Sequence, residues 1–306
     1  MFDVLVAGEI NPDLILSGDV TPEFGQVEQL VDSATLAIGS SSAIFACGAA
    51  RLGLKVAYIG VCGDDLFGRF MLQELDSRGI DVSNVMIPPG AHTGLSVILD
   101  RLDGRAILTY PGLIGALKAG DVPDNLLSQA RHLHVASYFL QTALQPGLPE
   151  LFTRAHSSGL TTSLDTNWDP SGQWQGLDEL LQLTDVFLPN ENEALALTKS
   201  SSLEAALSIL GQQRPLVVVK RGGQGAHAFR DGTTAYAPAL PVQVVDTIGA
   251  GDSFDAGFIY GWLNGWSMEK SLDMAVACGS LSTRGAGGVS AQPTLDEVLK
   301  YVRPVG

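Results

Sequence analysis

Cysteine is scarce in this chain, with Cys47, Cys62 and Cys278 the only three among 306 residues. They are far apart and no CxxC pair occurs, which argues against a disulfide scaffold or a zinc knuckle. The pattern instead predicts small buried thiols in a reducing compartment, and we therefore expect a cytoplasmic protein.

Basic residues are also few. Lys and Arg number 18 against 33 Asp and Glu, and the formal net charge is −15. This balance argues against nucleic acid or an anionic membrane surface as the partner. It leaves phosphate ligands open, because backbone N–H groups bind anions without basic side chains. No apolar run reaches the ~18 residues of a membrane helix, and no basic segment opens the chain, so we expect neither a membrane span nor a signal peptide.

Strand-type and helix-type segments alternate through most of the length. Predicted strands are Val4–Ala7 and residues 55–61, 133–136, 161–164, 186–188 and 216–219; predicted helices are residues 41–52, 66–77, 148–156, 191–197 and 202–210. This order predicts an α/β fold of three layers, with a mostly parallel central sheet covered by helices on both faces.

Two regions interrupt the alternation. Residues 14–38 have strand character without a helix, and residues 94–110 alternate apolar and polar side chains around Asp103-Gly104, a hairpin signal. We expect residues from about 12–38 and 92–112 to form a small sheet that acts as a lid. A further hairpin is predicted at residues 226–237. No repeat or low-complexity linker occurs, so the prediction is one domain spanning residues 1–306.

The segment Asp246-Thr247-Ile248-Gly249-Ala250-Gly251-Asp252 leads from an extended stretch into an apolar helix. Gly249, Ala250 and Gly251 leave their N–H groups unobstructed at the helix N-terminus, which predicts an anion hole made of backbone. Asp252 is either an ordinary helix N-cap or a base that activates a hydroxyl for attack on phosphorus. We expect the helix dipole to keep it ionised and therefore a weak base.

Residues 246–254 resemble the C-terminal signature of the ribokinase (PfkB) family of carbohydrate kinases. The segments at residues 8–13, 39–53 and 61–68 resemble its opening and N-terminal signature, in the right order. The resemblance implies a ribokinase-like fold and an enzyme that uses ATP and Mg²⁺ to phosphorylate a small sugar-type alcohol. By it Asp252 is the catalytic base and residues 249–251 form the hole.

The resemblance also implies a substrate side. Its residues are Asp13, Gly39, Ser40, Ile44 and Asn167. The family usually has Gly where Ser40 stands, Asn where Ile44 stands and a basic residue where Asp169 stands. Ile44 cannot hydrogen-bond a sugar hydroxyl, so we expect ribose to have a kcat/KM at least about tenfold below the best sugar. The alternative interpretation places Ile44 in the core.

On the nucleotide side the resemblance implies Asn190, Lys220, Gly222, Gly225 and Ala277, the alternative for Ala277 being apolar core packing. Glu193 is expected near Mg²⁺ through water, the alternative being a solvated helix carboxylate. Lys220 is expected to meet phosphates, the alternative being a surface lysine. Asp246 is expected to help hold a monovalent cation such as K⁺, the alternative being a turn-forming Asx residue.

Competing patterns are weak. No P-loop motif occurs, and Gly8 lacks the other glycines of a dinucleotide fingerprint. His132 and His134 share a strand face without a third metal ligand, and are interpreted as structural. A nucleoside kinase and a non-catalytic sugar or nucleotide sensor of the same fold stay open. Family habit implies a homodimer through the lid.

Overall fold

The computed structural model describes residues 1–101, 104–213 and 215–303. The strands within these ranges are β1 (Val4–Ala7), β2 (Pro12–Ser17), β3 (Ser33–Ile38), β4 (Val56–Ile59), β5 (Leu95–Arg101), β6 (Gly104–Tyr110), β7 (His132–Val135), β8 (Thr161–Leu164), β9 (Val186–Phe187), β10 (Leu216–Lys220), β11 (Ala226–Arg230) and β12 (Thr233–Ala237). The helices are α1 (Ser41–Arg51), α2 (Leu66–Ser77), α3 (Asp124–Leu127), α4 (Leu148–Ser157), α5 (Asp178–Gln182), α6 (Glu191–Thr198), α7 (Leu203–Leu210), α8 (Ala250–Leu263), α9 (Met268–Ser282) and α10 (Leu295–Val298).

The larger sheet has the strand order β12-β11-β10-β9-β8-β7-β1-β4. The pairs from β4 to β10 are parallel, and the β11–β12 hairpin closes the other edge in antiparallel fashion. Every residue of β1, β4 and β7 is buried, as in a sheet covered on both faces. Val4 and Val6 pack into one hydrophobic cluster and Leu5 into a second one, because successive side chains point to opposite faces. The predicted three layers are thus confirmed.

The second sheet has four strands in the order β3-β2-β5-β6. The β2–β5 pair is parallel and the other two pairs are antiparallel. The predicted hairpin is present, with Arg101 paired to Gly104, while its turn residues 102 and 103 lie outside the described residues. Every residue of β6 is exposed, so this sheet offers an open edge to solvent.

Two helix starts position the functional segments. α8 begins at Ala250 and packs along α9 and against α1. α6 begins directly after Asn190, at the end of the short crossover from β9. Across the described ranges, no helix has the combined length and apolar character needed to cross a membrane.

Candidate active site

The polar residues of the site follow the carboxyl ends of neighbouring parallel strands. Asp165 follows β8, Asn190 lies shortly after β9, and Lys220 is the last residue of β10. Such strands end at the same edge of the sheet, where ligands of open α/β sheets bind. A cleft of about 460 Å³ opens at this edge. The predicted site residues in its wall are Asn167, Asn190, Glu193, Lys220, Gly222, Gly225, Ala250, Gly251 and Asp252.

The glycine turn before α8 has a tightly packed conformation. Gly249 is the N-cap of α8 and has φ of 69°, in the left-handed region that favours glycine. The backbone N–H groups of Gly251 and Asp252 have no acceptor among the described residues, whereas the Ala250 N–H, predicted as part of the hole, donates to the Thr247 carbonyl at 3.3 Å. Because these free donors add to the helix dipole, the N-terminus of α8 can bind an anion.

Asp252 is the third residue of α8, not its N-cap, and is only 9% exposed. Burial raises the pKa of its carboxyl to about 8; the Asp165 carboxyl adds to the rise and the Lys220 ammonium opposes it. The expectation that the helix dipole keeps Asp252 a weak base is wrong, because the cost of burying its charge outweighs the dipole. A carboxyl of this pKa is suited to accept a proton near neutral pH.

Lys220 lies among buried carboxyl groups. Its Nζ donates to Asp165 Oδ2 at 2.7 Å and to Asp255 Oδ2 at 3.1 Å. Carboxyl oxygens of Asp165, Asp252 and Asp255 lie within 4.8 Å of one another. The Lys220 side chain is only 12% exposed, so its interpretation as a surface lysine is wrong.

Asp13 lies on the lid strand β2 and is buried. Gly39 gives it room, since a Cβ atom on Gly39 would lie 2.2 Å from Asp13 Oδ1. Burial raises the pKa of Asp13 to about 7, against the opposing effect of Arg105. Neither Asp13 nor Gly39 is in the wall of the cleft, so contact with a substrate there remains a prediction.

Ser40 stands where the family has glycine, and its backbone explains that preference. Its φ is 66°, a value that strains any residue with a Cβ atom. Its Oγ compensates by donating to the Glu9 carbonyl at 2.7 Å and accepting from the Ala43 N–H at 3.1 Å. The serine thereby caps α1 and does not line the cleft.

Asn167 is brought to the cleft beside Asp252. Its carboxamide oxygen accepts from Ser41 Oγ and from Ser137 Oγ, the latter at 3.1 Å, and its nitrogen donates to Asp165 Oδ1 at 3.2 Å. The nearby Ser41 hydroxyl also lowers the pKa of the Asp252 carboxyl, against the larger effect of burial. Ser41, Asn167 and Asp252 all lie in the wall of the cleft.

Asp169 replaces a basic residue of the family and serves its own loop. Its Oδ1 accepts from the Ser171 N–H at 2.8 Å and its Oδ2 from the Trp174 N–H at 2.7 Å. These bonds hold a turn that leaves Trp168 more than half exposed and edge-to-face with Trp174. Asp169 thus stabilises the loop after Asn167 by accepting hydrogen bonds from its backbone.

Ile44 requires a correction. It is 3% exposed and belongs to the hydrophobic core. A Cβ atom on Gly249 would lie 2.8 Å from Ile44 Cγ2, and one on Gly288 would lie 2.5 Å from Ile44 Cδ1. The side chain thus packs on two glycine backbones and is absent from the wall of the cleft, in agreement with the alternative of core packing.

Asn190 and Glu193 form a capping box at the start of α6. Asn190 Oδ1 accepts from the Glu193 N–H at 2.9 Å, and Glu193 Oε2 accepts from the Asn190 N–H at 2.8 Å. Glu193 is 5% exposed, which rules out a solvated helix carboxylate. Burial is the main cause that raises the pKa of Glu193 to about 7, and the nearby Asp165 carboxyl adds to the rise.

The glycine turn after β10 borders the cleft as predicted, whereas Ala277 does not. Gly225 has φ of 80°, and a Cβ atom there would lie 2.0 Å from the Ala237 carbonyl oxygen. Ala277 is buried in the core, and its neighbours Val276 and Gly279 line the cleft instead. This agrees with the alternative of core packing, because successive helical residues point about 100° apart and α9 presents another face to the cleft.

Asp246 has partners for both carboxyl oxygens. Oδ1 accepts from the Ile248 N–H at 2.9 Å, and Oδ2 accepts from the Gly287 N–H at 2.8 Å. The guanidinium of Arg105, on the lid, approaches Oδ1 at 3.9 Å. The first bond forms the Asx turn named as the alternative; the cation role remains a prediction.

Sequence reasoning missed three residues of this site. Glu9 is buried and accepts from Ser42 Oγ at 2.7 Å. Its signal was a carboxylate directly after a buried strand. Asp255 lies on the buried face of α8, where a carboxyl group interrupts an apolar pattern. Ser41 is the first residue of α1 after its N-cap, as Ala250 is the first residue of α8 after Gly249.

Comparison with known proteins identifies the family of this chain. A model of the pfkB family carbohydrate kinase matches residues 1–295. An ATP-dependent ribose-1-phosphate kinase from Halopiger xanaduensis is 32% identical over 305 residues, covering 99% of this chain and 98% of that protein. A 5-dehydro-2-deoxygluconokinase from Geobacillus thermodenitrificans is 30% identical over 288 residues, covering 88% and 85%.

The solved structures agree as well. A putative ribokinase II from E. coli in complex with ATP and Mg²⁺ superposes with a TM-score of 0.87 at 26% identity, over 98% of this chain and 99% of that one. This chain therefore belongs to the pfkB family of carbohydrate kinases and is an ATP-dependent phosphotransferase with an alcohol group as acceptor.

Proposed function

We propose that this kinase phosphorylates a hydroxyl of a sugar or sugar-like molecule in the cytoplasm, with Asp252 as the base and the N–H groups of residues 249–251 as the anion hole. The observation that carries the proposal is the position of Asp252. It lies buried in the first turn of α8, beside N–H groups without acceptors, in the wall of the cleft.

In this mechanism Asp252 accepts the proton of the attacking hydroxyl, while the free N–H groups at the start of α8 stabilise charge on the transferring phosphoryl group. The Ser41 hydroxyl, also in the wall of the cleft, favours the charged form of Asp252 by lowering its pKa. In a loose transition state the proton leaves late, so positioning and electrostatics dominate.

The chemistry of the cleft fits a magnesium nucleotide. Glu193 and Asn190 offer carboxylate and amide oxygens, the hard ligands that Mg²⁺ prefers, and would hold the ion through water. Val242, Val244 and Val276 give the cleft an apolar side that suits a purine ring. When bound, the magnesium nucleotide supplies the phosphoryl group and neutralises part of its charge.

The substrate belongs to the sugars, sugar acids and sugar phosphates that the relatives' names indicate. Asp13 and Asn167 are the groups proposed to bind its hydroxyls. An ATP-consumption screen over ribose, ribose 1-phosphate, fructose, 2-keto-3-deoxygluconate, tagatose 6-phosphate and nucleosides tests the function. Turnover with one of these sugars supports it. Sugar binding without ATP turnover across the panel would favour the sensor instead.

A nucleoside kinase is the second candidate, and an aromatic series favours it. Phe139 and Trp174 pack edge-to-face at 5.3 Å, and Trp174 and the exposed Trp168 do so at 5.1 Å. Trp168 follows Asn167 directly, so a base attached to the sugar would find an aromatic surface beside the proposed sugar site. Turnover of a nucleoside above every free sugar would select this candidate.

We also propose that the chain acts as one kinase domain with the four-stranded sheet as its lid, and that two copies pair through that lid. The exposed edge strand β6 carries Ile107, Leu108 and Tyr110, each more than half exposed. An unpaired apolar edge of this kind is a template for another strand. Sedimentation of wild type and Leu108→Glu tests it: a dimer lost in the variant supports pairing, and a monomeric wild type contradicts it.

A further inference from the structure

Lys220 is the last residue of β10, and its ammonium group is surrounded by protein. Nζ donates to Asp165 Oδ2 at 2.7 Å and to both carboxyl oxygens of Asp255, at 3.2 and 3.1 Å. The side chains of Asp165 and Asp255 are 3% and 1% exposed. The proposed mechanism gives no role to Asp255.

Asp255 lies one turn of α8 after Asp252, so the two carboxyl groups project from the same face of the helix. One ammonium group thus meets a cluster of three buried carboxyl groups. Replacing a buried ion pair by apolar side chains is often neutral or stabilising, so stability alone is a weak reason for this arrangement.

The Lys220 ammonium also borders the anion hole. A Cβ atom on Gly251 would lie 3.6 Å from Lys220 Nζ, so the ammonium lies against the backbone that begins α8. A lysine side chain has four rotatable carbons and changes position readily unless several acceptors hold its head. The acceptors in this case are Asp165 on one side and Asp255 on the other.

We propose that Asp255 is a positioning residue for phosphoryl transfer: with Asp165, it holds the Lys220 ammonium beside Gly251, where one positive charge serves both the base and the anion hole. This inference rests on the proposed function. Burial raises the pKa of Asp255 well above its ordinary value. Burial would also raise the pKa of Asp165, but the nearby Lys220 ammonium outweighs it and that pKa is lowered. Asp165 and Asp255 thus hold the Lys220 ammonium from two sides.

The test compares Asp255→Leu, which is larger but keeps the branching at Cγ and has no acceptor, with Asp255→Asn, which keeps an oxygen for Lys220 Nζ. We expect Asp255→Leu to lower kcat by about tenfold or more with both KM values within about threefold, and Asp255→Asn to stay within about threefold of wild type. Arg221→Met, which removes the nearby ion pair with Glu191 at 3.0 Å, is the matched control and should leave kcat within about twofold.

A second readout does not depend on turnover. Calorimetric affinity for MgADP with aluminium fluoride and the sugar, a mimic of the transferring phosphoryl group, should fall about tenfold in Asp255→Leu, while MgATP affinity changes by less than about threefold. Circular dichroism and melting establish that the variants fold, and Asp255→Ala replaces Asp255→Leu if the leucine variant does not.

The inference is overturned if the folded apolar variant keeps kcat within about twofold of wild type, or if Asp255→Asn is as impaired as Asp255→Leu. These outcomes are distinct from failure of the proposed function. That failure would appear in the wild-type protein itself, as absence of ATP turnover with every substrate of the screen.

Discussion

A Cβ atom on Gly249 would lie 2.7 Å from the Cα atom of Gly288, closer than any side chain tolerates. Gly249→Ala must therefore open the anion hole as well as strain its own backbone. We expect a loss of about 1–3 kcal/mol in the free energy of unfolding, and a fall in kcat that exceeds the change in KM for ATP. Urea unfolding and steady-state kinetics measure both.

Gly120→Ala is the matched control, because a Cβ atom there meets nothing within 4 Å. It should leave both quantities at their wild-type values. If Gly249→Ala behaves like this control, the turn before α8 does not shape the hole.

Asp252→Asn should leave the fold intact and reduce kcat by roughly 10²–10⁴, the usual contribution of a general base. MgATP affinity should change little, because the amide still occupies the same volume. A variant that keeps more than half of the activity on the best sugar would show that another group accepts the proton.

The pH dependence follows from the same carboxyl. Burial raises the pKa of Asp252 to about 8, so at neutral pH most of the free enzyme has a protonated base. We expect kcat/KM to rise about tenfold per pH unit below that value and to level off above it. A profile that is flat between pH 6 and about 8 would contradict the assignment.

The free energy of unfolding should fall as the pH rises, whereas kcat/KM rises. The folded-state pKa of Asp252 lies above its ordinary value of 3.8, so its contribution is fully present below pH 3.8 and is lost as the pH rises through about 8. Asp252→Asn removes this contribution. Its melting temperature should therefore fall less between pH 6 and pH 9 than that of wild type, as scanning calorimetry can measure.

A monovalent cation near Asp246 would shape the turn before α8 without touching ATP. Adding millimolar potassium to an assay free of sodium and potassium should raise kcat. If potassium has no effect on kcat, the cation prediction is wrong. Asp246 then serves only the turn, through its hydrogen bonds to the N–H groups of Ile248 and Gly287.

Ile44 gives a test of substrate choice. Because its side chain packs on Gly249 and Gly288, Ile44→Val should cost about 0.5–1.5 kcal/mol in the free energy of unfolding. The ratio of kcat/KM for ribose to that for the best sugar should not change. A changed ratio would indicate that Ile44 contacts the substrate.

The sequence was sufficient for the alternating strands and helices, because periodic apolar residues report which faces are buried. It also located Asp252 and the glycines at the start of a helix, where Ala250, Gly251 and Asp252 lie in the wall of the cleft. It left Ala277 undecided, because one residue of helical phase decides between core and cleft. Phase depends on how α9 packs against α8, and no local pattern contains that information.

The pKa of Asp252 was missed for a different reason. The helix dipole is a local property and can be inferred from Gly-Ala-Gly before a helix. The rise in its pKa comes from burial and from Asp165, a residue remote in sequence that the fold places near Asp252. Likewise, the partners of Lys220 come from β8 and α8, so its ion pairs could not be foreseen from β10 alone.

The strand order has a consequence for synthesis of the chain. From β7 onward each parallel strand joins its predecessor, whereas β1 pairs with β4 on one side and with the much later β7 on the other. Asp13 leaves the ribosome early and Asp252 very late, with the central strands between them. A growing chain can therefore stack its sheet step by step, yet it holds no functional kinase until α8 has emerged and docked. A ribosome stalled before that point would hold a chain without Asp252, the proposed base, and we expect such a chain to have no kinase activity.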